Sequence, residues 1–561
     1  MIMHLFNLNL ESYEIILGIT LIVVALSFKR LSLSLAKHPS LAGHSKMSRK
    51  VSKLVPFYEF KEDEFFSSDH APAQVMAARQ KGFEALSDHF NKYFKKTYEM
   101  ASEARDSISD MQFTKTYRVP FQYSNYVNEH LKYGNFVKSS SGVTLTDMDD
   151  NIMYDLGGSY GVNVFGNDFY KTCIEKGSAL VKELGPVLGP YHPLIIDNVN
   201  RIKEISGMDE VSFHMSGTEA VMQAVRLARY HTKRTHLVRF CGAYHGWWGD
   251  VQPGIGNPTP ADYTYTLKEM DGDTLRVLRT RHDIACVLVN PLQALHPNKN
   301  APTDSSLVDS SRTAKFQREA YTKWLNELRQ VCTEKGIVLI FDEIFVGFRI
   351  ALGGAQEYFN VHADMVTYGK TLAGGLPIGV LCGKKNLMQR YNLNRPTDIC
   401  FARGTFNSHP YVMATMHEFL ESLNEPTIQN IYQNLDETWD RRAKYLNERF
   451  DQEKLPLKVS NFSSIWLLEY TTPSRYNWLF QFYLLRENIS LGWIGTGRFI
   501  FSLNYTEEDF EQAADRIIKA AHQMKDDHWW WCHHGTTNKS IKREILKEML
   551  KHFLKSKLNF N

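Results

Sequence analysis

Lys370 stands where a lysine can act as a chemical group rather than as a solvated surface charge. It ends an apolar run and precedes a glycine-rich turn, in the segment VTYGKTLAGGLPIGVLCG. Burial at the end of a strand disfavours the charged ammonium and lowers its pKa. A neutral amine can then attack an aldehyde and form an imine. Because most lysines are solvated, this interpretation depends on the neighbouring motifs.

Asp342 is the second group in an unusual position. It follows the apolar run of IVLIFDEIFVGFR directly, where an unpaired carboxylate would be costly. A buried aspartate at the end of a strand therefore needs a cation. A protonated pyridine nitrogen would serve, and its protonation would make the ring an electron sink. A salt bridge to Arg349, nearby in sequence, is the alternative.

Two turns further upstream could hold the rest of such a ring. One of them, the segment VSFHMSGTEAVMQAVRLARY, predicts a strand, a turn and a helix. The helix begins at Ser216, Gly217 and Thr218. The free N–H groups and hydroxyls of a helix start suit a phosphate, although such a turn is commonly only an N-cap. In CGAYHGWWGD, Tyr244 offers a flat ring that could stack on a pyridine. His245 could support the site or simply satisfy its own turn.

The elements around these residues predict a mostly parallel sheet. From about residue 180 to 400, helical segments alternate with the β-rich runs VSFHM, HLVRF, ACVLVN, IVLIF, MVTYG and IGVLCG. Apolar strands separated by helices are typical of a sheet that is covered on both faces. A stretch with hairpin signals precedes this region, and a smaller α+β region follows it.

These motifs, in this order, resemble the class III pyridoxal-phosphate-dependent aminotransferases. The likeness covers about 120–530 and rests on SGTEA, YHG, DE…GFR, GK…GGLPIG and RGTF. It implies an α/β chain of fold type I, with a mostly parallel seven-stranded sheet in the large domain and a smaller α+β domain. It also implies pyridoxal 5′-phosphate as the cofactor, Lys370 as its Schiff-base lysine, and a homodimer with active sites at the subunit interface.

The resemblance implies further residue roles. Thr405 in RGTF would reach the cofactor phosphate of the partner subunit, and Gln293 in NPLQ would lie near the ring hydroxyl. The likeness is closest to the glutamate-1-semialdehyde aminomutase-like branch and, closer still, to the aminotransferase modules of hybrid polyketide–peptide synthases. One departure is Asn290-Pro291, where the family usually has Glu-Pro. It removes an acidic group near the site and affects donor handling rather than cofactor binding.

The expected reaction moves an amino group from an amino-acid donor to a keto or aldehyde acceptor, with Lys370 as the group that transfers the proton. A donor carboxylate needs a cation. Arg118 is the candidate, by loose analogy with the aminomutase branch, and Arg403 and Arg498 are rivals; any of these arginines could equally be structural. One alternative is an intramolecular 2,1-aminomutase acting on a glutamate-1-semialdehyde-like compound. The other is a non-catalytic scaffold that kept the fold.

The N-terminus predicts a membrane anchor over residues 1–30. Ile15–Phe28 is an uncharged apolar run that acidic Glu11 and Glu14 precede and a basic cluster follows at once. The positive-inside rule then places the rest of the chain in the cytoplasm. A buried helix of the globular domain is the alternative, because a full span needs about 20 apolar residues. An anchored enzyme would suit a lipid-like or polyketide-like acceptor.

The last residues predict a basic amphipathic helix after three tryptophans. Seven Lys/Arg against two Glu lie between 539 and 557. This pattern is typical of a membrane surface, with a solvated helix packed on the domain as the alternative. The predicted units are the anchor (1–30), a helical extension (31–115), the first part of the small domain (116–180), the cofactor-binding large domain (181–400), the rest of the small domain (401–528) and this tail (529–561).

Charge and cysteine content narrow the function classes. A formal net charge of +3 on 561 residues gives no reason to expect nucleic-acid binding. The 7 cysteines are scattered singly, without a CxxC pair. This indicates reduced thiols rather than disulfides or a zinc site, and we expect no metal.

Overall fold

A computed structural model describes residues 10–39, 44–252, 254–298, 314–492 and 497–558, so the first nine residues of the predicted anchor and the last three of the tail lie outside it. The helices are α1 (Leu10–Ala36), α2 (Ser45–Ser52), α3 (Glu62–Ser67), α4 (Ala73–Tyr93), α5 (Lys95–Arg105), α6 (Ser109–Tyr117), α7 (Phe121–His130), α8 (Asn167–Leu180), α9 (Leu194–Ser206), α10 (Gly217–Thr232), α11 (Gly272–Thr280), α12 (Arg318–Lys335), α13 (Gly354–Phe359), α14 (Lys385–Met388), α15 (Pro410–Ser422), α16 (Pro426–Gln433), α17 (Leu435–Gln452), α18 (Phe480–Arg486), α19 (Glu507–Asp526) and α20 (Asn538–Leu558).

The strands are β1 (Val137–Ser141), β2 (Thr144–Asp147), β3 (Ile152–Asp155), β4 (Glu210–His214), β5 (His236–Phe240), β6 (Thr264–Leu267), β7 (Ile284–Val289), β8 (Val338–Asp342), β9 (Met365–Gly369), β10 (Gly379–Gly383), β11 (Tyr391–Asn392), β12 (Arg395–Ile399), β13 (Leu457–Phe462), β14 (Ile465–Tyr470), β15 (Ile489–Ser490) and β16 (Arg498–Ile500).

A seven-stranded mixed sheet forms the centre of the molecule, in the order β4-β10-β9-β8-β7-β5-β6. Strand β10 is antiparallel to both of its neighbours, and the other neighbouring pairs are parallel. Alternate residues of the central strands enter two cores: Leu288 and Ile340 share one with Val221 of α10, whereas Val287 and Leu339 enter the larger one. Burial on both faces explains why these strands read as continuous apolar runs.

The strand directions place the sequence motifs at one edge of this sheet. Strands β5, β7, β8 and β9 are parallel, and β4 points the same way because it is antiparallel to β10. The segments that follow their carboxyl ends therefore meet. In open α/β sheets, this edge is where ligands bind.

A second, smaller part of the fold brings one more turn to the same edge. It contains the sheets β1-β2-β3-β15 and β13-β14-β16. The turn after β3 packs against β16: Gly158 has a φ of +51°, and a Cβ there would lie 2.6 Å from the carbonyl oxygen of Ile500. The same turn carries Tyr160 in the left-handed region. Glycine is needed at 158 because both the φ and the close approach exclude a side chain.

The helical extension shares an aromatic core with the segment after α19. Phe65 and Phe66 contact Trp529 at 6.3 and 6.0 Å between ring centroids. Trp529 and Trp530 are buried, and the indole Nε1 of Trp529 donates to the hydroxyl of Tyr483 at 2.8 Å. The interpretation of these tryptophans as part of a membrane-surface pattern is therefore wrong for this pair, because both rings are used in packing and the Trp529 N–H already has a buried partner.

Helix α20 lies on the protein rather than free in solvent. Ile541 and Ile545 are buried beneath it. Glu548 accepts two hydrogen bonds from the guanidinium of Arg475, at 2.6 and 2.8 Å, and Arg475 is buried. A charge-assisted pair of this kind fixes the orientation of the helix as well as its position.

Helix α1 continues past residue 30, where the anchor was predicted to end. Leu17–Ala36 is long and apolar enough to cross a membrane by length and composition, and most of it is exposed. Its end is attached to the protein: Ala36 is buried, and its carbonyl oxygen accepts a hydrogen bond from the backbone N–H of Lys268 at 2.8 Å. The last turn is therefore a junction with the large domain.

Candidate active site

Lys370 follows β9 and Asp342 ends β8, so neighbouring strands bring the two to the same place. Asp342 is buried, and its Oδ2 lies 2.7 Å from Nδ1 of buried His245. The imidazole thus holds the carboxylate. The alternative partner, Arg349, donates instead to the carbonyl oxygens of Phe501 and Asn163, at 2.7 and 2.8 Å.

Lys370 has the electrostatic setting of a reactive amine. Burial lowers its pKa to about 8, with Asp342 opposing this shift and Arg349 adding to it. Nζ donates a hydrogen bond to the carbonyl oxygen of Tyr160 at 2.7 Å and lies 5.4 Å from the ring centroid of Phe345. The neutral amine, which is the form that attacks a carbonyl, is therefore much more populated near neutral pH than it is for a solvated lysine.

The turn of Ser216, Gly217 and Thr218 lies beside this pair. Ser216 caps α10, with its hydroxyl accepting from the N–H of Glu219 at 3.3 Å. A Cβ on Gly217 would lie 2.5 Å from the side chain of Ile344, which follows Asp342 by two residues. The start of α10 therefore approaches the end of β8 closely, and its N–H groups can hold an anion.

The turn after β5 completes this side of the cluster. Gly246 lies against Thr218, and the Tyr244 carbonyl accepts a hydrogen bond from the Asn290 amide at 3.0 Å. The Tyr244 side chain is 61% exposed, and burial of its hydroxyl together with the nearby Asp342 charge raises its pKa. Asn290 also accepts from the N–H of Leu292 at 3.2 Å. In the place of the family's glutamate, Asn290 thus joins two loops of the site.

The three candidate arginines lie in different surroundings. Arg118 is buried directly after α6, where its Nε donates to Gln481 Oε1 at 2.7 Å. Arg403 is exposed, 5.5 Å from the ring centroid of Tyr191. Arg498, on β16, donates from Nη2 to Nε2 of His296, which lies on the loop after β7, at 2.6 Å. Of the three, Arg498 is the one attached to that loop.

Thr405 and Gln293 occupy contrasting environments. Thr405 is exposed, and the preceding Gly404 lies near Glu219, since a Cβ there would be 3.7 Å from its carboxylate. Gln293 is buried, and its Oε1 lies 3.1 Å from Nδ1 of His296. His296, which the sequence reasoning did not single out, also receives the hydrogen bond from Arg498.

The donor set fits pyridoxal 5′-phosphate. The Asp342 carboxylate, the Lys370 amine and the start of α10 match the ring nitrogen, aldehyde and phosphate of that cofactor. Within the described part of the chain, Nε2 of His245 is buried without a hydrogen-bond partner, which leaves this ring able to bind a further group. A lysine–aspartate pair at the carboxyl edge of such a sheet, beside a helix N-terminus, defines a pyridoxal-phosphate-dependent enzyme.

The particular family follows from comparison with known proteins. The model of the family "Aminotransferase class-III" matches residues 126–521. The chain belongs to the class III aminotransferases, which confirms the family resemblance, and it is a pyridoxal-phosphate-dependent enzyme of that class.

Curated relatives and solved structures agree with this assignment. A glutamate-1-semialdehyde 2,1-aminomutase from Methanococcus vannielii is 33% identical over 350 residues, covering 59% of this chain and 75% of that protein. One from Alkaliphilus oremlandii is 29% identical over 417 residues, covering 70% and 92%. A solved glutamate-1-semialdehyde aminomutase from Pseudomonas aeruginosa has a TM-score of 0.65 at 16% identity, covering 80% and 99%. A β-phenylalanine aminotransferase from Variovorax paradoxus has 0.60 at 21%, covering 80% and 98%. These two structures share the fold.

Proposed function

We propose that this enzyme transfers an amino group from an amino-acid donor to a separate keto or aldehyde acceptor, with Lys370 as its central residue. The observation that carries the proposal is the half-buried Lys370 amine, whose pKa burial lowers to about 8, beside the buried Asp342. A scaffold that had lost its chemistry would gain nothing from this costly pair. The non-catalytic alternative is therefore disfavoured.

The bound cofactor supplies the aldehyde that receives the amino group and a ring that withdraws electrons from the reacting carbon. Lys370 would bind that aldehyde, and its Nζ, when released by a donor amine, would take and return a proton. Asp342, which His245 holds by a hydrogen bond, would keep the ring nitrogen protonated. Ser216, Gly217 and Thr218 would hold the phosphate.

Three further residues have roles in the proposal. The exposed ring of Tyr244 would stack on the cofactor, and the amide of Gln293 would bind the ring hydroxyl. Tyr160 offers its carbonyl oxygen to the displaced Lys370 amine, since the two atoms are 2.7 Å apart.

An intramolecular aminomutase is the second candidate, favoured by the names of the curated relatives. The absorbance spectrum of the purified protein, recorded before and after the addition of each of a panel of amino acids, distinguishes the two reactions. Conversion of the bound cofactor to its amine form by one amino acid, with release of the keto acid, supports the transaminase. A cofactor that only a glutamate-1-semialdehyde-like compound converts, with no released keto acid, supports the aminomutase. Lys370→Ala should abolish the lysine-bound absorbance band in either case.

We also propose a homodimer in which Thr405 binds the partner subunit's cofactor phosphate. Support comes from the family resemblance and from the exposed position of the segment. In this arrangement Arg403, which is likewise exposed, would face the partner subunit. Sedimentation velocity tests whether the protein is a dimer. Thr405→Val should weaken cofactor binding without dissociating the dimer.

We propose that α1 anchors the enzyme in a membrane, with the catalytic part facing the cytoplasm. The support is the exposed, apolar Leu17–Ala36 segment and the basic cluster after it. Membranes from expressing cells should retain the protein through a carbonate wash, whereas Ile19→Lys/Val23→Lys should release it. The catalytic part should be digested by protease added to inverted vesicles and not to right-side-out ones.

The outer side of α20 would lie on the same membrane. Leu546, Leu550 and Leu554 are more than half exposed and are spaced four apart, on one side of the helix. Lysines and an arginine flank them, which suits anionic lipids; they are Lys539, Arg543, Lys547 and Lys551. In the released anchor variant, binding to phosphatidylserine vesicles should persist and should be lost in Leu550→Ser/Leu554→Ser.

An anchored enzyme further suits a lipid-like acceptor, such as a long-chain aldehyde or a polyketide-like acyl chain. This part of the proposal rests on the anchor and on the resemblance to polyketide–peptide modules. The test is to compare the rates of amino transfer to dodecanal and to pyruvate at equal donor concentration. A clear preference for pyruvate would contradict it.

A further inference from the structure

His296 joins a residue of its own loop, Gln293, to Arg498 from a distant part of the sequence. Its Nε2 lies 2.6 Å from Nη2 of Arg498 on β16, and its Nδ1 lies 3.1 Å from Oε1 of Gln293. Both His296 and Gln293 are buried. Arg498 and His296 are 202 residues apart in sequence, so tertiary folding alone brings them together.

The chemistry of the three groups fixes the direction of both hydrogen bonds. A guanidinium has N–H donors and no acceptor, so Nε2 of His296 must be the unprotonated nitrogen. The proton of the neutral ring is then on Nδ1, which donates to Gln293 Oε1. The Gln293 amide therefore turns its oxygen toward His296 and keeps its NH₂ group for another partner. In both hydrogen bonds the donor lies on the Arg498 side and the acceptor on the Gln293 side, and consecutive hydrogen bonds of this kind polarise one another.

Contacts on the other side connect the same chain to the reactive lysine. Arg498 stands two residues before Ile500, whose carbonyl oxygen lies against Gly158. That glycine begins the short turn that carries Tyr160, and the carbonyl oxygen of Tyr160 holds Lys370. The arginine therefore lies within a continuous set of contacts that reaches the site from both ends.

We propose that His296 is a positioning residue that holds the Arg498 guanidinium to receive a substrate carboxylate and turns the Gln293 amide toward the cofactor ring. This inference rests on the proposed function, because the partners of Arg498 and Gln293 are assigned there. It adds a residue that orients both groups at once.

A pair of small reagents tests the arginine without knowledge of the natural donor. Aminooxyacetate and methoxyamine both condense with the cofactor aldehyde and displace the lysine, and only the first carries a carboxylate. The rate at which each removes the lysine-bound absorbance band gives a carboxylate preference, which is the ratio of the two rate constants. The same spectra report the band position, which responds to hydrogen bonding at the cofactor ring.

Three substitutions of His296 separate its two hydrogen bonds. His296→Phe removes both, and we expect the carboxylate preference to fall about tenfold, or about 1.4 kcal/mol, together with a shifted band. His296→Gln keeps an acceptor for Arg498 and should retain the preference with a shifted band. His296→Asn keeps a donor for Gln293 and should retain the band with a reduced preference. His236→Phe is the matched control, because His236 begins β5 at the opposite edge of the sheet and stacks on Tyr265.

The outcomes distinguish this inference from the function on which it rests. If the wild-type protein binds no pyridoxal phosphate, the proposed function and the inference both fail. If wild type and His296→Phe bind it equally, with the same band and the same preference, the inference alone is overturned. Equal changes in His296→Phe and His236→Phe would also overturn it, since they would show a general effect of substitution on the fold.

Discussion

Replacing Lys370 with methionine should stabilise the cofactor-free protein at neutral pH. Burial lowers the pKa of the amine to about 8 from 10.5. Below pH 8 the native state therefore keeps an ammonium in surroundings that disfavour its charge. Methionine preserves the length and apolar volume of the side chain and removes this cost.

The sign of the pH dependence follows from proton binding. Between pH 8 and 10.5 the unfolded lysine carries a proton that the native one has lost, so wild-type stability rises with pH over this interval. At about 1.36 kcal/mol for each pKa unit, the interval sets an upper limit of about 3.4 kcal/mol on the cost below pH 8. Water reaches the partly exposed amine and reduces the expected difference to about 2 kcal/mol.

Urea unfolding of the cofactor-free proteins at pH 7 and pH 10.5 measures this difference. We expect Lys370→Met to exceed wild type by about 2 kcal/mol at pH 7 and by less than about 0.5 kcal/mol at pH 10.5. Lys182→Met is the control, because the Lys182 side chain is 73% exposed. A methionine variant no more stable than wild type at pH 7, or one whose advantage is unchanged at pH 10.5, would refute the reasoning.

Three further substitutions test other contacts of the structure. His245→Phe removes the hydrogen bond to Asp342, 2.7 Å long, and should raise the dissociation constant for pyridoxal phosphate about tenfold in a fluorescence titration. Gly161→Ala should lower kcat by about tenfold to 100-fold, because φ is +91° and the added Cβ would lie 2.6 Å from a phenylalanine ring. Glu548→Ala leaves the buried charge of Arg475 without its carboxylate and should cost about 3 kcal/mol of stability in urea unfolding, with faster proteolysis of α20.

Two of these substitutions have a matched control variant. Gly142→Ala also changes a glycine with positive φ, at a position with no atom within 4 Å, and should leave kcat unchanged. Glu544→Ala changes a second glutamate of α20 and should leave proteolysis unchanged. A His245→Phe protein that binds pyridoxal phosphate as tightly as wild type would show that the hydrogen bond from the imidazole does not position the Asp342 carboxylate for cofactor binding.

The sequence predicts most of the central sheet because its strands are buried on both faces. Six apolar runs between residues 211 and 383 are all strands of that sheet. The seventh strand, β6, was not predicted. Its sequence is TYTL, and in this edge strand beside β5 two residues are buried and two are partly buried, so the alternation runs over a length too short to give a signal.

The sequence predicts those site residues that directly follow an apolar strand. It does not predict residues whose hydrogen-bond partners are brought to them only by tertiary folding. Lys370 and Asp342 stand out because each ends an apolar run. His296 follows NPLQ with no pattern of its own, and only the fold places it against Arg498. The alternative partner of Asp342 shows the same limit: Arg349 is near Asp342 in sequence, but it donates to backbone carbonyl oxygens of distant segments.

The aromatic core shared by the extension and the tail has a consequence for how the chain is made. Phe65 and Phe66 leave the ribosome long before Trp529, which packs on both. Until Trp529 has been synthesised, these phenylalanines pack only on rings such as Phe83 and lack part of their cover, a state prone to aggregation. A chain that stops before residue 529 would lack the residue that completes this core. The packing of the N-terminal extension therefore depends on a residue that is synthesised much later.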